Sequence, residues 1–183
     1  MSTYLESITT EYHRYKKLAE GAIRQVDDAD LTTALDPEGN SISVIVQHIS
    51  GNLKSRFTDF LTSDGEKAWR DRDREFIEKA LVRVELLNLW EDGWAVLFDA
   101  LRTLSSNDLD KEVLIRGEAL SVPEALNRSL AHVAYHVGQI VLLARMSAKG
   151  RWQYLSIPKG QSAAYNQNPT LEKVPHQPIQ PPL

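Results

Sequence analysis

The sequence contains no cysteine among its 183 residues. This absence excludes disulfide bonds, thiolate metal sites, cysteine nucleophiles and iron–sulfur clusters. Any bound metal ion must therefore take nitrogen and oxygen ligands. The sequence also lacks a run of about 18 consecutive apolar residues, and its charged N-terminal segment has no apolar core of the kind found in secretory signals. We therefore expect a cytoplasmic protein with no membrane partner.

The sequence also lacks an excess of basic over acidic residues. Lys and Arg total 21 against 25 Asp and Glu, which gives a formal net charge of −4. Because non-specific nucleic-acid binding depends on Lys and Arg that neutralise phosphates, this balance argues against a nucleic-acid partner. Hydrophobic content of 42% and charged content of 25% are ordinary for a globular protein. The length favours one domain whose core needs no cross-links.

Four stretches of the chain place apolar residues at every third or fourth position, which predicts four amphipathic helices. Two short β-prone runs on either side of Gly117 predict a small hairpin. The fold class that follows is all-α, a four-helix bundle with a long first crossover and a small β-hairpin before the last helix. The predicted helices cover about residues 4–25, 42–61, 75–104 and 123–149.

The end of the chain differs in composition from the rest. Residues 166–183 hold five of the eight prolines and almost no large apolar side chains. Such a segment cannot bury enough surface to offset the entropy lost on ordering. We therefore expect residues 1–165 to form the bundle and residues 166–183, with His176, to be a disordered proline-rich tail.

The last predicted helix carries two histidines beside its apolar stripe. His132 and His136 are four residues apart, so their rings lie about one turn above each other and can converge on one divalent metal ion. Ser129 and Gln139 extend the same polar edge. His48, which borders the apolar stripe of the second predicted helix, is the best candidate for a third ligand. A histidine beside an apolar face is also common as a hydrogen-bonded packing residue, so spacing alone leaves both interpretations open.

Three protein ligands with open positions are typical of a catalytic metal site, whereas structural sites are normally closed by four. Asn52 and Arg56 follow His48 at intervals of four residues and lie on the same edge of their helix. Residues 66–79 alternate basic and acidic side chains, which is typical of a solvated surface. The alternative is that one arginine of this segment reaches a neighbouring pocket and holds an anionic substrate group.

The segments VQHI (46–49), HVAYH (132–136) and GQI (138–140) carry the three candidate histidines and their surroundings. They resemble the DinB-like superfamily, which includes bacillithiol transferases and the mycothiol-dependent maleylpyruvate isomerase. The resemblance covers roughly residues 1–165, and other segments look more specifically like an uncharacterised branch of that superfamily. It implies a four-helix bundle, commonly a homodimer, that binds zinc, nickel or a similar divalent ion through His48, His132 and His136. The segments that look like the uncharacterised branch are HISGNLKSRFTDFL, TSDGEK and WQYLSIPKGQS.

By the same analogy, the protein is a metal-dependent enzyme that transfers a low-molecular-weight thiol to an electrophilic small-molecule substrate. Asn52 and Arg56 are the candidate contacts for polar or carboxylate groups of the thiol. One alternative is a metal-dependent hydrolase, which needs a carboxylate base that none of the three histidines has within one turn of its own helix. The other is a non-catalytic metal-binding stress-response protein.

Overall fold

The computed structural model describes residues 3–79 and 81–170 and confirms the all-α bundle with its small hairpin. Four long helices form the bundle, and two short helices lie outside it. Single 3₁₀ turns occur at Asp73–Phe76 and Ser106–Asp108. The elements are α1 (Tyr4–Ile23), α2 (Asp28–Leu31), α3 (Ile42–Phe57), α4 (Arg83–Thr103), β1 (Glu112–Ile115), β2 (Glu118–Ser121), α5 (Val122–Ser147) and α6 (Ser162–Gln167).

The long helices pack in two closely associated pairs, α3 with α4 and α1 with α5, and α3 also contacts α5. Gly93 permits the close approach of α4 to α3, because a Cβ atom there would lie 2.7 Å from the Cα of Ser50. Tyr12 of α1 is completely buried and donates a hydrogen bond of 2.9 Å to the carbonyl of Leu126 in α5. The side chain of Trp94 packs edge-on against the Tyr12 ring at a centroid distance of 6.2 Å. Aromatic side chains thus fill the centre of the bundle.

The first half of the chain differs from the prediction in two places. A short helix, α2, lies within the long crossover predicted between the first two helices. Helix α3 begins as expected, with the Ser41 side chain accepting a hydrogen bond from the Val44 amide, but it ends at Phe57. Thr58 is extended and Asp59 has a φ of +49°, so the chain turns away about four residues before the apolar pattern ends.

The third long helix begins at Arg83, eight residues after the predicted start at Glu75. Glu75 instead lies in a 3₁₀ turn, where its carboxylate binds Arg70 and His48. Arg83 donates hydrogen bonds to the carbonyls of Ile23 and Val26, which fixes the start of α4 against the end of α1. Because these contacts join distant parts of the chain, helical periodicity gives no sign of them.

The hairpin pairs β1 with β2 in antiparallel register and leads directly into α5. The loop after α3 holds it in place, because Asp64 accepts hydrogen bonds from the amides of Arg116 at 2.8 Å and Gly117 at 2.7 Å. The Gly65 amide donates to the carbonyl of Leu114 at 2.8 Å. The N-terminus of α5 is capped by Ser121 in a capping box, and proline occupies its first turn as predicted.

After α5, Trp152 and Leu155 pack back on the core. The helix α6 ends at Gln167, two residues into the predicted tail. Residues 171–183, including His176, lie outside the described residues, so the prediction for the tail stays a prediction. Among the residues that the structure describes, no helix is long and apolar enough to cross a membrane.

Candidate metal centre

The three histidines singled out from the sequence come together where α3 packs on α5. One ring nitrogen from each of His48, His132 and His136 lies within 4.8 Å of the other two. Nε2 of His48 is 3.1 Å from Nε2 of His132, and the His48 ring centroid is 4.8 Å from that of His136. His48 and His136 are buried and His132 is half-buried. The three nitrogen donors therefore lie close enough together to bind one divalent ion.

Hydrogen bonds to the opposite ring nitrogens select the tautomers of two of these histidines. Nδ1 of His48 donates to the Glu75 carboxylate at 2.9 Å, and Nδ1 of His136 donates to the Gln139 side-chain carbonyl at 2.8 Å. A neutral imidazole that carries its proton on Nδ1 has a free lone pair on Nε2. Both rings therefore present a nitrogen that can bind a metal ion, while the opposite nitrogen has the hydrogen-bond acceptor usual for ligand histidines.

The local electrostatics keep two of the rings neutral at neutral pH. Burial, followed by the proximity of His136 and His48, lowers the pKa of His132 to about 3. Burial also lowers the pKa of His136, and this outweighs the opposing hydrogen bond with Gln139. A neutral imidazole is the form that binds metals. The donor set therefore fits a divalent ion, and these three residues can hold one.

Glu75 and Arg70 are the site residues that sequence analysis missed. The side chain of Arg70 is only 2% exposed and holds Glu75 through two hydrogen bonds, from Nε at 2.7 Å and from Nη2 at 2.8 Å. Burial works to raise the pKa of Glu75, but the hydrogen bonds from Arg70 and His48 outweigh it and the pKa falls. Glu75 is therefore an ionised carboxylate that orients His48.

One sequence feature marks the place where this carboxylate meets α3. Gly51 lies within α3, three residues after His48, where glycine weakens the helix. A Cβ atom at this position would lie 2.2 Å from Oε1 of Glu75. A glycine inside a helical pattern often marks the close approach of another group, and here that group is the carboxylate. The sequence does not reveal which residue approaches.

A cavity of about 200 Å³ opens beside the histidines. Asn52 and Arg56 line it together with His48 and His132, so the two predicted substrate contacts do lie next to the cluster. The Arg56 guanidinium is already engaged, because it donates hydrogen bonds to the Gly65 carbonyl and to the Glu66 carboxylate. The hairpin forms the opposite wall with Val113, Leu114, Ile115 and Arg116.

The alternating charged segment, residues 66–79, is only partly the solvated surface that its composition suggests. Arg70 and Arg72 from this segment line the cavity. Arg74 and Asp71, by contrast, pair on the surface with side chains that are largely exposed. The alternative interpretation, in which arginines of this segment reach a neighbouring pocket, thus agrees with the placement of two of them.

Comparison with known proteins gives a family but no activity. No curated protein and no solved structure matches the chain. One family model, described as a protein of unknown function (DUF1572), matches residues 1–161. This range contains the three histidines, Glu75 and every residue that lines the cavity. The chain therefore belongs to the DUF1572 family.

Proposed function

We propose that this protein is a metal-dependent enzyme that transfers a low-molecular-weight thiol to an electrophilic small molecule. The observation that carries the proposal is the convergence of three imidazole donors beside a cavity large enough for a small ligand. Three protein ligands leave room for an exchangeable ligand on the ion, as in catalytic sites. The resemblance of the histidine segments to the DinB-like superfamily, with its thiol transferases, supports the same assignment.

The ion in this proposal is zinc or nickel, both of which accept imidazole ligands. When bound, it would lower the pKa of a thiol and so supply a thiolate at neutral pH. The role of the protein's own residues is to hold and orient. Glu75 and Gln139 accept hydrogen bonds from Nδ1 of His48 and His136, which leaves both Nε2 atoms free to bind the ion.

Asn52 and Arg56 are the proposed contacts for the thiol compound. Both line the cavity on the His48 side, and both lie on α3. The amide of Asn52 can donate and accept hydrogen bonds, whereas Arg56 offers the guanidinium hydrogens not used by Gly65 and Glu66. Their placement suits recognition of polar groups at some distance from the sulfur atom.

Metal-dependent hydrolysis is disfavoured by the make-up of the cavity. Among the described residues, its lining includes no Asp or Glu to act as a general base. Glu75, the nearest carboxylate to the histidines, is held by Arg70 and His48. Since its pKa is lowered, it is a weak base as well as a fully engaged one.

We also propose that the protein is a homodimer, as in the superfamily that it resembles. Helix α5 presents three largely exposed apolar side chains with helical spacing: Tyr135, Leu142 and Met146, which are 64%, 57% and 57% exposed. A second copy that covered this stripe would remove it from water. The cytoplasmic location stays a prediction from the sequence.

The test of the proposed activity is conjugation of a chromogenic electrophile with a panel of thiols, including glutathione and bacillithiol, by zinc-loaded and nickel-loaded protein. We expect turnover that a chelator abolishes, that is lost in His132→Ala and that persists in His13→Ala, since His13 stacks on Phe98 of α4 outside the cluster. Loss of transfer in Arg56→Ala with the metal retained would support the thiol contact. Metal binding without conjugation of any thiol would favour the non-catalytic alternative.

A further inference from the structure

The cavity beside the histidines is lined by an unusual concentration of arginine. Five guanidinium groups contribute to its wall, and among the described residues no Asp or Glu does. This concentration occurs in a protein whose formal net charge is −4. A cavity with basic walls and a low-dielectric surround attracts anions. The five residues are Arg56, Arg70, Arg72, Arg116 and Arg128.

Three of these arginines are paired with carboxylates behind the cavity wall. Arg56 and Arg116 share the carboxylate of Glu66, with nitrogen to oxygen distances of 3.2 Å and 3.0 Å. Arg70 binds Glu75 through two hydrogen bonds. Two carboxylates therefore serve three guanidinium groups, and the neutralisation of this part of the wall is incomplete.

The other two arginines have no strong carboxylate partner. The Arg72 guanidinium lies over the Phe76 ring, with Cζ 4.9 Å from the ring centroid, which leaves its N–H groups free to donate. Its ion-pair contact, at 3.9 Å, is with Asp73, whose side chain is 97% exposed, and such a contact contributes little. Arg128, on α5, forms no ion pair with any residue in the ranges 3–79 and 81–170. Because no carboxylate competes for them, both guanidinium groups are available to a ligand.

A buried polar atom also lacks a partner at this wall. Although Arg70 is almost fully buried and binds Glu75 through Nε and Nη2, its Nη1 atom is buried with no hydrogen bond to any described residue. A buried charged donor without an acceptor is costly, and such groups are rare unless a ligand or water completes them. Arg70 lines the cavity, so an anion there could accept this hydrogen bond.

We propose that this cavity binds a small organic dicarboxylate, or the dicarboxylate portion of a larger reactant, through Arg72, Arg128 and the free Nη1 of Arg70. The planar guanidinium matches a carboxylate with two parallel hydrogen bonds, and two separate arginines suit two carboxylates. The volume of about 200 Å³ admits a small molecule and excludes a polymer. The claim that a dicarboxylate is the enzyme's substrate rests on the proposed thiol transfer. The claim that the cavity binds a dicarboxylate does not.

The arginines lie in the same cavity as two of the candidate metal ligands. His48 and His132 line the same cavity as Arg72 and Arg128. A reactant anchored by its carboxylates at the arginines would therefore hold its remaining atoms next to the imidazoles. Such an anchor lowers the entropy cost of bringing the reacting group to the centre.

The experiment measures succinate binding to the full-length, metal-free protein by isothermal titration calorimetry at low ionic strength. Succinamide is the uncharged isostere, and inorganic phosphate is the alternative anion. We expect succinate to bind, and binding to weaken about tenfold or more in Arg72→Gln and Arg128→Gln, because each removes a charge-assisted contact. Arg145→Gln is the matched control, since Arg145 lies further along α5 over the Tyr154 ring and outside the cavity lining.

Equal binding of succinate and succinamide, or equal succinate affinity in wild type and both variants, would overturn the proposal. Binding of phosphate but not succinate would overturn the dicarboxylate assignment. Should Arg128→Gln fail to fold, the half-exposed Arg72 supplies the same test. Loading of separate portions of each preparation with zinc or nickel separates the two proposals: a wild type that binds succinate but takes up neither metal refutes the metal chemistry alone, and the reverse refutes the anion site alone.

Discussion

Glu75 accepts a hydrogen bond of 2.9 Å from Nδ1 of His48, although 27 residues separate them in the chain. Arg70 holds the same carboxylate on its other side through two hydrogen bonds. The hydrogen bonds that join Arg70, Glu75 and His48 thus fix the orientation of the His48 ring before any ion binds. A preorganised ligand loses less freedom on binding, so this relationship bears directly on metal affinity.

We expect Glu75→Gln to lower zinc affinity by about 10- to 100-fold, the usual effect of losing a carboxylate that orients a ligand histidine. The substitution keeps the shape of the side chain but removes its charge. Competition with a chromogenic chelator measures the affinity. Glu118→Gln, on the exposed side of the hairpin, is the control and should leave affinity unchanged. Wild-type affinity in Glu75→Gln would remove Glu75 from the site.

Gly51→Ala tests the same contact from α3. The added Cβ would lie 2.2 Å from Oε1 of Glu75, so the carboxylate must move away from its partners. We expect zinc affinity to fall about tenfold or more, as for other losses of ligand orientation. The change should appear in the same chelator competition, without loss of helical content by circular dichroism.

Gly138→Ala is the matched control for this substitution. Gly138 also lies inside a long helix, α5, but a Cβ atom there meets nothing within 4 Å. Alanine in an open helical position raises the free energy of unfolding by up to about 1 kcal/mol. We therefore expect a more stable protein with unchanged zinc affinity. Equal effects of the two substitutions on affinity would show that the Gly51 contact with Glu75 is unimportant.

The sequence predicted the histidine cluster but not its support. His132 and His136 share a helix, so their spacing alone places them together, and His48 follows from the apolar pattern of a second helix. Glu75 reaches the site from a 3₁₀ turn, where an ion pair with the nearby Arg70 holds it and a hydrogen bond joins it to His48, 27 residues away. Patterns of period 3.6 report helix faces, and contacts of this kind leave no periodic trace.

The helix boundaries are predicted correctly where local sequence signals and packing agree, and incorrectly where other contacts override the local pattern. Helix α5 has a capping box, proline in its first turn and a continuous apolar stripe, so local signals and packing agree. The predicted start of the third helix at Glu75 failed because the long-range contacts of Glu75 override a weak local pattern. The early end of α3 likewise follows from the turn at Asp59, whose positive φ has no marker in the apolar spacing.

Asp64, which holds the hairpin in place, should make the stability of the fold depend on pH. Backbone amides of Glu66, Gly117 and Arg116 donate to this carboxylate and lower its pKa below the usual 3.8. A carboxylate with a lower pKa in the folded state stabilises the fold above its unfolded pKa, and this contribution is lost as pH falls further. We therefore expect Asp64→Asn to lower the free energy of unfolding at pH 7, by an amount that shrinks below about pH 4.

Urea unfolding at pH 7, 4 and 3 measures this dependence. Asp110→Asn, at an exposed position before the hairpin, controls for the general effect of removing a negative charge and should follow the wild type. A stability difference between wild type and Asp64→Asn that stays constant across the three pH values would contradict the assigned role.

We propose that His48, His132 and His136 hold one metal ion together. The most direct test is elemental analysis of purified wild type, His48→Ala, His136→Ala and His13→Ala after zinc or nickel loading and dialysis without chelator. We expect about one equivalent of metal in wild type and His13→Ala, and loss of it in the two triad variants, because one ion draws on both helices. Absence of bound metal in wild type after loading with either ion, or full retention in both triad variants, would exclude a shared site.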